Sequence, residues 1–88
     1  MSHYIALVNY TDKGIANIKD SPARLDRARD LLREMGGEFR QMFLTIGGHD
    51  MVVVYEAPDD ATAARFSLRP GVSGHVRTTT PEALPEAA

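Results

Sequence analysis

Six residues of this chain are its candidates for chemistry: Asn9, Thr11, His49, Asp50, His75 and Arg77. His49 and Asp50 are adjacent. A carboxylate beside an imidazole can fix its tautomer and raise its basicity, which is how a general base is made. His75 is a second candidate base. Glycine, histidine and aspartate are equally ordinary turn residues, and Asp50 could simply accept backbone N–H groups. Neighbours on a strand also point to opposite faces, which weakens a direct His49–Asp50 pair. Together His49, His75 and Asp50 would make a two-histidine, one-carboxylate metal set. No short-spaced ligand motif accompanies them, so no metal is expected. Arg77, beside Thr78, Thr79 and Thr80, could anchor a carboxylate or phosphate, or form an ordinary ion pair. Asn9 and Thr11 could hold a substrate oxygen. Gly47-Gly48 is neither a dinucleotide fingerprint nor a phosphate loop, so no cofactor is expected.

These residues need elements to bring them together. The segment from Glu38 to Tyr55 has two runs rich in apolar and β-branched residues around Gly47-Gly48-His49-Asp50, the pattern of a β-hairpin. Met51 to Tyr55 is continuously apolar and suits a central strand, whereas 38–45 mixes in Arg40 and Gln41 as an edge strand does. Tyr4 to Tyr10 is a strand apolar on both alternating faces. After a short helical turn near 13–19, Ser21 as N-cap and Pro22 at the first position open a main helix over 22–35. Its buried stripe is Leu25, Ala28, Leu32 and Met35, with Gly36-Gly37 ending it. Arg24 and the other charged residues fill the solvated positions, with Asp26–Arg29 and Asp30–Arg33 as surface pairs. Asp59 and Asp60 cap a second helix over 59–68, whose Ala61, Ala64 and Leu68, with Phe66 or Ala63, face the sheet. Arg69-Pro70-Gly71 breaks that helix, 72–80 forms the last strand, and the tail 81–88 is expected to fray.

Strand, helix, strand, strand, helix, strand is the order of two split βαβ units. It predicts an α+β ferredoxin-like sandwich over 1–88: a four-stranded antiparallel sheet, spatial order fourth, first, third, second, with two helices on one face. That topology puts the end of the first strand, the hairpin turn and the start of the last strand at one end of the sheet. Asn9, Thr11, His49, Asp50 and His75 are therefore expected to cluster, with Arg77 and Thr79 on the face of His75. The first helix points its N-terminus there, which favours an anionic or oxygen-rich ligand.

With 88 residues and no cysteine, a disulfide framework and thiolate metal sites are excluded, and self-association is the remaining common support for a small core. Only two helices are available to cover one sheet face, so a homodimer or higher homo-oligomer covering the other is expected. A net charge of -2 argues against bulk nucleic-acid binding. No apolar run reaches the roughly 20 residues of a membrane span, and no secretory signal is seen, so a cytoplasmic location is expected.

Several blocks carry a family resemblance. They are Asn9 to Ile15, Lys19-Asp20-Ser21-Pro22 with Arg24-Leu25, and Glu34-Met35-Gly36-Gly37, followed by Gly48-His49-Asp50, Glu56 to Asp60 and Val76 to Thr80. In order and spacing they resemble the GYD-domain proteins, small and mostly bacterial, without an assigned biochemical function. The resemblance covers roughly 4–80. It implies a ferredoxin-like domain akin to the dimeric α/β-barrel proteins, whose open sheet faces pack together, and it brings no catalytic residues. The family's Gly-Tyr-Asp reads Gly48-His49-Asp50 here. Two functions are open at this point. One is an oligomeric binding or structural module, with a small anionic or aromatic metabolite at the His49 end. The other is a small cofactor-free isomerase or monooxygenase, with His49 or His75 as base, Asp50 as its orienter, and Arg77 and Asn9 as anchors.

Overall fold

The computed structural model describes residues 1–86, with residues 69–73 described by backbone alone. The chain runs β1 (Ser2–Tyr10), α1 (Asp12–Ala16), a 3-10 turn (Ile18–Asp20), α2 (Ser21–Glu34), β2 (Glu38–Leu44), β3 (Met51–Ala57), α3 (Asp60–Ser73), β4 (Val76–Thr79) and β5 (Glu82–Ala83). The sheet order is β2-β3-β1-β4, with every pair antiparallel. This is the ferredoxin-like arrangement, with β3 and β1 in the centre and β2 on an edge.

Strand parity separates the two faces of the sheet. Tyr4, Ala6 and Val8 of β1 and Met51, Val53, Tyr55 and Ala57 of β3 are buried under the helices. Leu32 of α2 and Ala63 and Phe66 of α3 complete the core. An aromatic cluster fills one end. Tyr4 stacks on Tyr55 with centroids 5.4 Å apart, and Phe66 meets Tyr55 edge-on at 5.3 Å. The opposite face carries Ile5 and Leu7 from β1, Val52 and Val54 from β3, and Phe43 from β2, which registers against Val52. Its far end is closed by Glu56, paired with Arg40 at 2.7 Å and His3 at 2.9 Å. Arg40 holds the Glu56 carboxyl below its usual range. A register shift between Phe39 and Gln41 frees Arg40 for that pairing.

Several local expectations are corrected. Ser21 is the first residue of α2 and not its cap; its hydroxyl lies 2.8 Å from Tyr10 Oη. Arg33 forks onto Glu38 at 3.1–3.3 Å and does not take Asp30, because the β2 carboxylate meets its guanidinium in two-pronged geometry. α3 is rotated from the expected phase. Tyr4 Oη donates to Asp60 Oδ1 at 2.5 Å, and Asp59 Oδ1 accepts the Thr62 N–H at 2.7 Å. These two bonds fix the first turn so that Thr62, Ala63 and Phe66 are buried while Ala61, Ala64 and Leu68 point outward. α3 also runs past Pro70 to Ser73 and ends at Gly74, φ +79. A proline deletes one helical rung, and here the loss stays local. The last strand accordingly starts at Val76, not at 72. Beyond it the chain does not fray at once. Ile5 N donates to Pro81 O at 3.1 Å, and β5 pairs with β1 at His3 and Tyr4, because that edge of β1 still offers backbone groups. The rest of the expected tail includes residues 87 and 88, which lie outside the described residues. No helix among the described residues is long and apolar enough to cross a membrane.

Candidate functional site

The end of the sheet where β1 meets the hairpin is knitted by Asp50. Its backbone N–H donates to Val8 O at 2.9 Å, and its carbonyl accepts from Thr45 N at 3.1 Å. Its carboxylate Oδ2 accepts from Tyr10 N at 2.8 Å. Asp50 thus ties the turn to β1 twice and closes the hairpin once. His49 follows the other face: its Nδ1 lies 3.2 Å from Asn9 Oδ1, a carbonyl oxygen that can only accept. Nδ1 is therefore the donor of this contact. Thr45 Oγ1 donates to His49 O at 2.5 Å and fixes the turn beneath it.

Thr11 is committed within the chain. Its hydroxyl donates to Gly74 O at 2.5 Å and accepts the Gly14 N–H at 3.2 Å, and its own N–H donates to His75 O at 3.0 Å. It is the N-cap of α1, which lies hard against the 74–75 turn. A Cβ on Gly14 would sit 2.0 Å from His75 O, so only glycine allows that approach.

Of the expected cluster, the structure brings together Asn9, His49 and Asp50, with Arg77 opposite Asn9 in the register of β4. His75 does not join them. It precedes β4 in a turn and lines the helix side of the sheet beside Tyr10 and Arg24, while Arg77 and Thr79 take the opposite face with Asn9 and Leu7. The shared face expected for His75, Arg77 and Thr79 therefore fails, because β4 begins at Val76 and strand parity does not extend back to His75, which still lies in the turn. His49 and His75 lie on opposite sides of the sheet. Among the described residues, no group of three metal-ligating side chains is close enough to hold an ion.

The helix side holds a cavity of about 260 Å³ between α2, α3 and the sheet. Its walls are Leu25, Ala28 and Leu31 of α2, Phe66 and Ser67 of α3, and Ala6, Val8, Met51, Val53 and Tyr55 of the sheet. Arg24, Arg27 and His75 stand at the α2 start, and Thr78 and Thr80 run along β4. Arg24 Nη1 donates to Asn17 O at 3.0 Å, but Arg24 Nη2 is buried with no partner. Tyr55 Oη is buried with none either. Burial pushes the Tyr55 phenol above its ordinary value, and the Ser67 hydroxyl near it opposes this in part. Unmet buried groups cost about 1–3 kcal/mol each, so two on one cavity are a notable concentration. The His75 imidazole is held below its ordinary value, first by burial and then by Arg24 and Lys13.

Sequence reasoning missed the cavity and its Arg24. The signal was there: Arg24 lies four residues before Ala28, on the inward side of the helix, where a purely solvated residue is out of place.

The fold and these two surfaces define a small ferredoxin-like α+β domain with an apolar outer sheet face and a helix-side cavity. The chain belongs to the GYD domain family, whose model matches residues 4–88. Among curated proteins it is similar to the "glutamine synthetase and cystathionine beta-lyase binding protein" of Thermus thermophilus. The two are 35% identical over 88 residues, covering 99% of this chain and 93% of that protein.

Proposed function

We propose that this protein is a homo-oligomeric docking module: a second copy covers its outer sheet face, and its exposed hairpin binds a metabolic enzyme. The observation that carries this reading is the full-length similarity to a protein named for binding glutamine synthetase and cystathionine β-lyase. Two features of the structure support it. Ile5, Leu7, Val52, Val54 and Phe43 form one apolar patch on the outer face, where a partner would remove them from water. At the hairpin, Leu44 and Ile46 stand 81% and 105% exposed, an apolar tip that a partner would cover. Asn9, His49 and Arg77 form the polar rim of the same outer face. A small anionic or aromatic metabolite at the His49 end would be held there, walled in by the second copy.

The test uses the purified protein with glutamine synthetase and cystathionine β-lyase from its own source organism. Sedimentation should give a dimer or larger species alone at micromolar concentration, converted to monomer by Leu7→Asp. Binding to one of the two enzymes should be lost in Ile46→Asp, with the oligomer intact. A strictly monomeric protein overturns the covered face, and no binding to either enzyme overturns the docking reading.

A further inference from the structure

We propose that the cavity between α2, α3 and the sheet is a binding site for a small monocarboxylate with an apolar body. Its acid group would sit on Arg24 and its far end on the Tyr55 hydroxyl. The site lies on the opposite side of the sheet from the face assigned to a second copy, so the two proposals stand or fall separately.

The first observation is the pairing of unmet groups with empty space. Among the described residues, the two buried side-chain atoms with no hydrogen-bond partner are Arg24 Nη2 and Tyr55 Oη, and both residues line this one cavity. One is an obligatory cationic donor and the other a hydroxyl. A ligand with an anionic group and a hydroxyl or keto oxygen would satisfy both. The register of β1 sets them at opposite ends: Tyr55 pairs with Tyr4, whereas Arg24 and His75 gather beside Tyr10 and Val76. The ligand is therefore elongated.

Charge selects the sign. Among the described residues, the charges that act on His75 are Arg24, Lys13 and Arg27, against Asp20. That excess of positive charge suits one carboxylate. The remaining walls decide the body: Leu25, Ala28, Val53 and Phe66 offer no polar atom from their side chains. Size closes the choice. A dry apolar cavity of about 150 Å³ accepts benzene. The 260 Å³ here fits a ring or branched alkyl group with a short acid arm.

The experiment titrates the full chain with phenylpropanoate, hydroxyphenylpropanoate, isovalerate and the uncharged phenylpropanol, by calorimetry and by amide chemical shifts. At least one acid should bind, with shifts at Leu25, Ala28, Val53 and Thr78. Phenylpropanol should bind about tenfold more weakly than phenylpropanoate, the size of one charge-assisted hydrogen bond. Arg24→Gln should erase that difference and Arg24→Lys restore most of it, which separates charge from folding. Tyr55→Phe should remove only the advantage of the hydroxylated acid. No acid binding at millimolar concentration overturns the proposal. So do shifts confined to Asn9, His49 and Arg77, or equal affinity for acid and alcohol.

Discussion

Replacing tyrosine by phenylalanine should have opposite effects at two stacked rings. Tyr4 and Tyr55 are both buried, with centroids 5.4 Å apart, so both lose a hydroxyl in the same aromatic cluster. Tyr4 Oη donates to the Asp60 carboxylate at 2.5 Å. Removing it deletes a bond to a charged acceptor and loosens the start of α3, at a cost of about 1.5–3 kcal/mol. Tyr55 Oη has no such partner. Removing it relieves an unmet buried group and keeps every ring contact, because the phenyl ring occupies the same place between Tyr4 and Phe66. The expected gain is about 1 kcal/mol, the lower end of the penalty for an unsatisfied group. For a domain of this size that is about 4–8 °C in Tm. Thermal unfolding followed by circular dichroism, with urea unfolding at neutral pH, measures both changes. An unchanged m value in urea would show that the unfolded state is not responsible. If Tyr55→Phe destabilises the ligand-free protein by as much as Tyr4→Phe does, the Tyr55 hydroxyl has a partner, and the assignment of that end of the cavity is wrong.

Asp50→Ala should cost about 1 kcal/mol, because its carboxylate bond to the Tyr10 N–H is charge-assisted but exposed. Hydrogen exchange should show the Tyr10 amide losing protection ahead of its neighbours in β1. Gly14→Ala should destabilise by about 1–3 kcal/mol, since its Cβ would meet the His75 carbonyl 2.0 Å away and push α1 from the 74–75 turn; chemical denaturation checks it. Alkaline stability follows Tyr4, whose phenol is pushed from 10.0 up to about 12, by burial first and by Asp60 second. The native state keeps that proton where the unfolded chain loses it. The contribution is therefore complete below about pH 10 and falls away as pH rises from there towards 12. Tyr4→Phe should flatten that alkaline decline in a pH series of urea midpoints.

The sheet was legible because its signals are local and strong. Met51 to Tyr55 could only be a covered strand, and the Gly47-Gly48 break could only be a turn. The order of elements then left few topologies. What stayed hidden depended on tertiary partners. The phase of α3 is set by Tyr4, which is far away in sequence, reaching Asp60, and no periodicity in Asp60 to Leu68 reveals it. The pairing of β5 with β1 is invisible in a proline-rich stretch. His75 was misplaced because alternation was carried one residue beyond the start of β4 at Val76, into a turn that does not alternate. Arg24 was read as solvated because it falls outside the apolar stripe, with the other charged residues of α2, although it lines the cavity against the sheet.

The family signature then takes on a physical meaning. Gly48-His49-Asp50 reads like a catalytic pair, yet Asp50 makes three bonds that close the turn and hold it to β1, and the ring of His49 meets Asn9 on the outer face. A tyrosine or a histidine at position 49 leaves those three bonds alone, so the exchange need not disturb the fold. The link to the cavity runs through Tyr10. Its N–H is held by Asp50, while its ring passes to the helix side, where Oη meets Ser21 at the start of α2. Asp50 therefore positions a wall of the cavity without facing it. On this geometry a change at Asp50 acts first on stability and only through Tyr10 on any ligand, whereas a change at Arg24 acts on the ligand directly.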